Sequence, residues 1–562
     1  MHLIEVILIM LLAVVASSYL VRALPFSVPL PLMQITLGVL IATLSNSIVE
    51  LESEIFLFVF LPPLLFLDGW RIPKASLFHD KIIVISLALG LVLFTVVGAG
   101  FLIYWLIPDM PLPVAFALAA VVSPTDPVAV SSIVSRSPMP KRLMHILESE
   151  SLLNDASGLV CFRFAVVAAA TGMFSLHTAS LAFLWMALGG VVFGVAVTLA
   201  INLTQRRVSR HWGEESGAAI LINLLTPFGA YLAAEICYAS GILAAVAAGV
   251  TMSYIELSGR ALALTRVQRT VVWDMVRFSL NGIMFVLLGE QLPAIVSRAI
   301  TAAGGGEYGY GASAWLVICA LVITVTLLTL RYFWLWVSLH LTLFRDRRSG
   351  SKPEKIDPRI VPMMSLAGVR GAVTLAGVLS LPLVMKHDGA PFPARDQTIF
   401  LAAMVILISL VAASVLLPRL LRGQAMNVPE VSVEERKEEN AIRAAAAAAI
   451  KAVEDASHDM AKNDPDAGKA GLYAQAALKV IEAYGYRITD EQLYVVDEGQ
   501  TLRKADRVGR RLRQIALKAE RDTIAHMAQT RQISDDVFRR LIDKVDFMSV
   551  AHHRDPSHHA NE

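Results

Sequence analysis

Three stretches of this chain place carboxylates among apolar residues. VVSPTDPVAVSS, residues 121 to 132, sets Asp126 between Pro124 and Pro127; LESESLLNDASGLV, residues 147 to 160, carries Glu150, Ser151, Asn154 and Asp155; and LPPLLFLDGW closes an apolar run on Asp68. An aspartate at a bilayer centre costs about 2.5 to 3.5 kcal/mol on insertion scales, and an interior proline removes a helix hydrogen bond and clashes with the preceding turn. Backbone that is irregular at such depth survives where it is buried in protein or lines a cavity. Neither Pro124 nor Pro127 can donate a backbone hydrogen bond, so the carbonyls of Ala120 and Ser123 lose their i+4 partners. Asp is a preferred N-cap and Pro a preferred first helical residue, so Asp126-Pro127 reads as the start of a second half-helix. In the next stretch a spacing of four puts Ser151 and Asp155 on one helix face, and Glu150 and Asn154 on the adjacent one. Hydroxyl, carbonyl and carboxylate oxygens are what a hard monovalent cation requires. A carboxyl group held out of water must be neutralised, by a proton or by a cation. One carboxylate that takes either but not both would exchange the one for the other.

These groups need a membrane to make sense of their positions. Of 562 residues, 56% are hydrophobic and 17% charged, too apolar a mixture for a soluble chain of this length. Apolar stretches of about 20 residues, the length that spans a bilayer, occur near 3–22, 28–45, 53–70, 82–107, 112–134, 142–170, 178–203, 217–237, 240–257, 271–297, 313–340, 360–385 and 398–421. The first is read as a retained span, since it has no cleavage pattern. Asp155 lies 13 residues beyond Arg142, or roughly 20 Å at 1.5 Å per residue, near mid-membrane.

Basic residues fall in alternate loops: Arg22; Arg71, Lys74 and Lys81; Arg136, Lys141 and Arg142; Arg206, Arg207 and Arg210; Arg260, Arg266 and Arg269; and the run from Arg345 to Arg359. The other set holds Arg298, Lys386 and Arg395. The positive-inside rule then puts the N-terminus outside and the tail in the cytoplasm of a multi-pass inner-membrane protein. Thirteen spans divide as six, one and six, which leaves two six-span halves in opposite orientation. In such inverted repeats the site lies on interrupted helices at matching places. The fifth span carries SPTDP, and its counterpart, the twelfth, carries LAGVRGAVTLAG with Arg370 between glycines.

Arg331 and Arg370 are the cations available at depth, and one of them is expected to pair with Glu150. Asp68, beside Trp70 and Arg71, suits either the site or a solvated interface. Asp274 and Arg277, three apart, are expected to pair locally. Glu5, Glu235 and Glu290 lie near span ends and are expected to be solvated. Cys161, Cys237 and Cys319 have no paired spacing, so neither a disulfide framework nor a zinc site is indicated.

FLPPLLFLDG, SPTDPVAV, ESLLNDA and GVRGAV, in that order on the third, fifth, sixth and twelfth spans, resemble the sodium/proton exchangers of the electroneutral branch of the cation/proton antiporters. GILAAVAAG and FVLLGEQL are similar as well. The resemblance covers about residues 1–421. It implies an all-α polytopic fold with crossed broken helices, a homodimer, and a site where Asp155 binds Na⁺ and H⁺ in turn. Asp126, Thr125 and Ser151 would contribute oxygens to the Na⁺, and Asn154 would brace Thr125. Glu150 would pair with Arg331, and Arg370 would face the helix crossing. Bacterial members usually have Glu where Asp68 stands, which leaves its part in coordination open. Because residue 154 is Asn and not a second acid, the simplest count is one cation for one proton.

The chain divides into a membrane domain, 1–423, and a helical cytoplasmic tail, 424–562, with 45 of the 96 charged residues from Gly423 onward. Tail helices are expected over 435–456, 467–485, 499–529 and 535–548, the last capped by Ser534. The tail is a candidate regulator, as a sensor of pH or ligand or a brace for a dimer. The terminal HHRDPSHH reads as a solvated end. The partners implied are monovalent cations, protons and lipid, with no nucleic acid and no cofactor. Ligand types do not separate Na⁺ from Li⁺ or K⁺, so a K⁺/H⁺ antiporter of the same fold is the nearest rival. A cation channel or membrane sensor is further off. An enzyme is not indicated, because no nucleophile, cofactor loop or metal cluster is present.

Overall fold

The computed structural model describes residues 2–24, 28–45, 53–71, 85–134, 139–171, 176–213, 215–256, 263–304, 312–348, 357–384, 391–421, 431–463, 470–489, 503–530 and 532–551. Lys74, Lys81, Arg136, Arg260 and Lys386 of the loop count, residues 349–356 of the run from Arg345 to Arg359, and the terminal HHRDPSHH lie outside them. The described residues are helical apart from their connections and one isolated bridge, Val384 with Pro391.

Each apolar stretch is occupied by a helix or by two half-helices. In chain order these are α1 (His2–Ala23), α2 (Leu30–Ser45), α3 (Ser53–Arg71) and α4 (Val92–Leu106), the last entered through a π-helical turn, Ser86–Leu91. Then come α5 (Leu112–Val122) and α6 (Pro127–Val134), the two halves of the interrupted fifth stretch. They are followed by α7 (Lys141–Thr171), α8 (Leu176–Trp212), α9 (Ser216–Ile236), α10 (Gly241–Glu256), α11 (Ala263–Gly304) and α12 (Ala312–Arg348). The twelfth stretch is likewise split into α13 (Ile360–Leu366) and α14 (Ala372–Leu379), and α15 (Arg395–Leu421) closes the membrane body. Eight described helices are long and apolar enough to cross a membrane. Several run past the apolar stretch that marked them: α8 reaches Trp212, and α11 starts at Ala263. Hydropathy marks what lipid and core surround, whereas helical hydrogen bonds continue into water.

The interrupted helices lie at the centre. Ala117 to Val122 of α5 are buried without a break, and so are Thr398 to Ala403 of α15. By contrast Leu8, Leu12 and Tyr19 of α1, and Leu188, Val192 and Leu199 of α8, are exposed. Exposed aliphatic and aromatic side chains on a continuous helical face are what a bilayer covers.

Close backbone approach fixes α3. A β-carbon at Gly249 of α10 would fall on the Phe66 carbonyl, and one at Gly69 would fall on the Val246 carbonyl. This mutual fit sets the height of Asp68, one residue before Gly69. Nearby, Phe66 stacks on Trp273 of α11 at 5.3 Å, and the Trp70 indole donates to Glu256 at 2.6 Å.

The tail forms α16 (Val431–Asn463), α17 (Ala470–Thr489), α18 (Arg503–Gln529) and α19 (Asp535–Ala551). Ala441, Ala445, Leu517, Ile524, Val537 and Leu541 share one small core, and Ala449, Val453, Val480, Leu512 and Ala516 another. Ser534 caps α19, its Oγ accepting from Val537 N–H at 3.4 Å. This last helix docks on the membrane body. Arg266 of α11 makes two 2.6 Å hydrogen bonds to Asp546, and Arg539 donates to the carbonyls of Trp70 and Arg71 at 2.7 Å each. A guanidinium on the last carbonyls of α3 satisfies groups that a helix end leaves open.

Candidate functional site

The break between α5 and α6 is closed by the break between α13 and α14. In an unbroken helix Asp126 N–H would donate to Val122; here it donates to the Val369 carbonyl at 2.7 Å. The Val122 carbonyl accepts instead from Arg370 Nε at 2.8 Å, and the same guanidinium also reaches the Gly368 carbonyl. Arg370 N–H is taken up by Ser409 Oγ of α15 at 3.2 Å. Each interruption therefore supplies donors or acceptors that the other lacks, which is how irregular backbone persists in a dry interior.

Asp126 caps α6. Its Oδ1 accepts from Val128 N–H at 2.8 Å and from Ala129 N–H at 3.4 Å, with Pro127 as first helical residue. Its other oxygen faces Gly371, where any β-carbon would collide with the carboxylate. Gly371→Ala should therefore push Asp126 out of place while leaving the helices themselves able to form. Misplacement by about an ångström in a preorganised site costs about 10²-fold. The expected result is a fall of at least about tenfold in ion-exchange rate at normal accumulation in the membrane, read by transport assay and immunoblot.

On α7 the two adjacent faces have separate tasks. Asn154 Nδ2 donates to Thr125 Oγ1 at 3.0 Å, both groups being buried. A hydroxyl that accepts one hydrogen bond still has a lone pair to offer. Glu150, fully buried, meets Arg331 of α12 in a two-pronged pair with Nη2 to Oε2 at 2.8 Å, and Arg331 Nε also donates to the Met364 carbonyl at 3.1 Å. On the other face Ser151 and Asp155, both buried, line a cavity of about 40 Å³ with Asp68, Thr125 and Asp126. A water needs about 10 to 15 Å³ on this measure, so the cavity has room for a small ion or a few waters.

All five residues expected to bind the ion thus share one cavity: Asp155, Asp126, Thr125, Ser151 and Asp68. The supporting residues Asn154, Glu150, Arg331 and Arg370 lie outside it, where they hold the crossing and α7. Asp68 is half-buried on the cavity wall. Two expectations are corrected. Asp274 does not pair with Arg277: it pairs with Arg71 of α3, while Arg277 points to Asp68 with 3.9 Å between them. Glu290 is buried instead of solvated. Glu235, near a span end as expected, is partly exposed and also pairs with Arg163 at 3.2 Å. Two further polar cavity residues, Asn281 and Thr374, went unnoticed in the sequence, and Arg277, read there only as a local partner of Asp274, also lines the cavity. The spacing of four between Arg277 and Asn281 put both on one face of an apolar stretch, and that was the available signal.

The transmembrane sodium/hydrogen exchanger family matches residues 7–423. The chain belongs to that family. It is 40% identical over 550 residues to the uncharacterized Na(+)/H(+) exchanger YjcE of Escherichia coli (strain K12), covering 97% of this chain and 98% of that one. It is 42% identical over 415 residues to the sodium, potassium, lithium and rubidium/H(+) antiporter of Bacillus pumilus, covering 73% of this chain and 60% of the relative. The sodium proton antiporter MjNhaP1 from Methanocaldococcus jannaschii has the same fold, with a TM-score of 0.56 at 19% identity, over 75% of this chain and 99% of that one. The similarity to the E. coli relative runs on through the tail, whereas the family match ends at 423.

Proposed function

We propose that this family member is a secondary active transporter and not an enzyme, exchanging a monovalent cation for H⁺ by alternating access. The observation that carries the reading is the cavity itself, where Asp155 stands among Asp126, Thr125, Ser151 and Asp68 beside two crossed helix breaks. Asp155 takes a proton or a cation in turn. With the cation present, Asp126, Thr125 and Ser151 complete an oxygen shell; with the proton present, the carboxyl is neutral and needs no other charge. A site that is neutralised either way can cross between the two faces of the membrane, and one left empty cannot. Because Asn154 adds no second titrating group, one cation moves for one proton.

Na⁺ is the first cation to test, with Li⁺ and K⁺ as alternatives that the name of the Bacillus relative brings within range. Proton movement driven by each ion separately, in inside-out vesicles, decides among them. No response to any of the three would sink the exchange reading. A rate that changes with an imposed membrane potential would rule out the one-for-one count.

The domain boundary, orientation and assembly belong to the same proposal. Residues 1–423 form the antiporter body in the inner membrane, with the N-terminus outside; residues 424–562 form a cytoplasmic tail, and two chains make a dimer. The docking of Arg539 on the end of α3 and of Asp546 on Arg266 supports a regulatory tail, since α3 carries Asp68. A chain ended at Arg422 should still exchange ions, but with a shifted pH profile. If pH profile and oligomeric state both stay as in the full chain, the tail has neither the regulatory nor the bracing role.

A further inference from the structure

Arg277 is, among the described residues, the one cationic side chain on the wall of the small cavity. It lies one turn after Asp274 on α11, as Asp68 lies one turn before Arg71 on α3. The two helices therefore face each other with crossed pairs: Arg277 opposite Asp68, and Arg71 opposite Asp274. The second pair stands in the wall of another cavity, of about 330 Å³, whose far side is formed by Arg521, Phe538, Arg539 and Ile542 of the tail. The Asp68–Arg277 rung thus lines the cavity that holds Asp155, while the Arg71–Asp274 rung, one turn away, lines the tail-side chamber.

That rung is loose. At 3.9 Å the Arg277 guanidinium makes no hydrogen bond to Asp68, and the two side chains are 29% and 37% exposed. The Glu150–Arg331 pair, at 0% and 2%, is pinned by two hydrogen bonds and a backbone carbonyl. A loosely held cation beside a carboxylate is a built-in competitor for any free cation that approaches it. Asp274, three residues back on the same helix face, is held by Arg71 through Oδ1 only, so its carboxylate can share its charge with Arg277 when Arg277 leaves Asp68.

We propose that Arg277 sets the apparent cation affinity of this site: it occupies Asp68 when the transported ion is absent and must yield it when the ion binds. The inference rests on the exchange reading above. Arg277 thereby holds the site at moderate affinity, so that a bound ion is also released.

The test is the initial exchange rate against Na⁺ concentration in vesicles, for the wild type, R277Q, R277M, R277K, D68N and D68N/R277Q. An exposed ion pair corresponds to up to about fivefold in affinity. The apparent KM for Na⁺ should therefore fall about fivefold in R277Q and R277M, and return to within about twofold of the wild type in R277K. With Asp68→Asn already present, R277Q should shift KM by less than about twofold. Where a variant turns over too slowly, the rise in stability of the purified full chain with Na⁺ concentration, fitted to RT ln(1 + [Na⁺]/Kd), reads the same affinity. A KM that is unchanged or raised in R277Q and R277M overturns the proposal, and so does an equal shift in both Asp68 backgrounds. If the wild type exchanges none of the cations, it is the functional reading that fails.

Discussion

Asp155→Asn should abolish exchange while the protein still accumulates and folds. The substitution keeps the shape of the side chain but removes both the negative charge and the group that carries the proton. At an effective dielectric of about 20, a unit charge about 4 Å away is worth about 4 kcal/mol. That is close to 10³-fold in cation affinity, by the rule of about tenfold per 1.4 kcal/mol. Losing the proton carrier removes coupling altogether. In inside-out vesicles, cation-driven proton movement should drop to that of vesicles without the protein, for Na⁺, Li⁺ and K⁺ alike. Full exchange by D155N would mean that the cavity described here is not the site.

The second large effect concerns stability. Arg331→Met leaves Glu150 fully buried with its charge uncompensated, and leaves the Met364 carbonyl without the donor it has from Arg331. Breaking a buried pair from one side costs about 3 to 5 kcal/mol, whereas replacing both partners by apolar groups of similar volume is often neutral or better. R331M should therefore lower the Tm of the detergent-purified protein by several degrees, and the double variant E150M/R331M should recover most of the loss. If the two single losses simply add in the double variant, the pair is not what holds α7 to α12. The recovered double variant would also isolate the pair's structural role, since both side chains lie outside the ion cavity.

The stretches that could be read directly are those governed by local chemistry. The helix breaks at SPTDP and GVRG were legible because proline cannot donate, aspartate caps, and glycine admits close approach; none of this depends on what lies across the membrane. The split of the Ser151/Asp155 face from the Glu150/Asn154 face was legible because helical spacing is fixed. Ser534 as the cap of α19 belongs with them. The π-helical turn at Ser86–Leu91 was not foreseen, since SLALGL has no residue that forbids an α-helix.

Charge partners could not be read in the same way. Asp274 and Arg277 are well spaced to pair on one helix, yet each faces α3 instead, and Gly69 against Gly249 sets the height at which α3 presents Asp68 and Arg71. Glu290 looked like a span-end residue, and the packing of α11 buried it. The reciprocal bonding of Val122 with Arg370 and of Asp126 with Val369 links residues almost 250 positions apart, which no local spacing announces. Residue types and their periods were enough to say that carboxylates sit at depth, with Asp126 at a helix break. Which arginine stands opposite which carboxylate, and that five oxygen-bearing residues from α3, α7 and the break before α6 enclose one small cavity, followed from the heights and rotations at which the helices pack. An ion pair is a matter of a few ångströms, and those few ångströms are set by side chains elsewhere in the core.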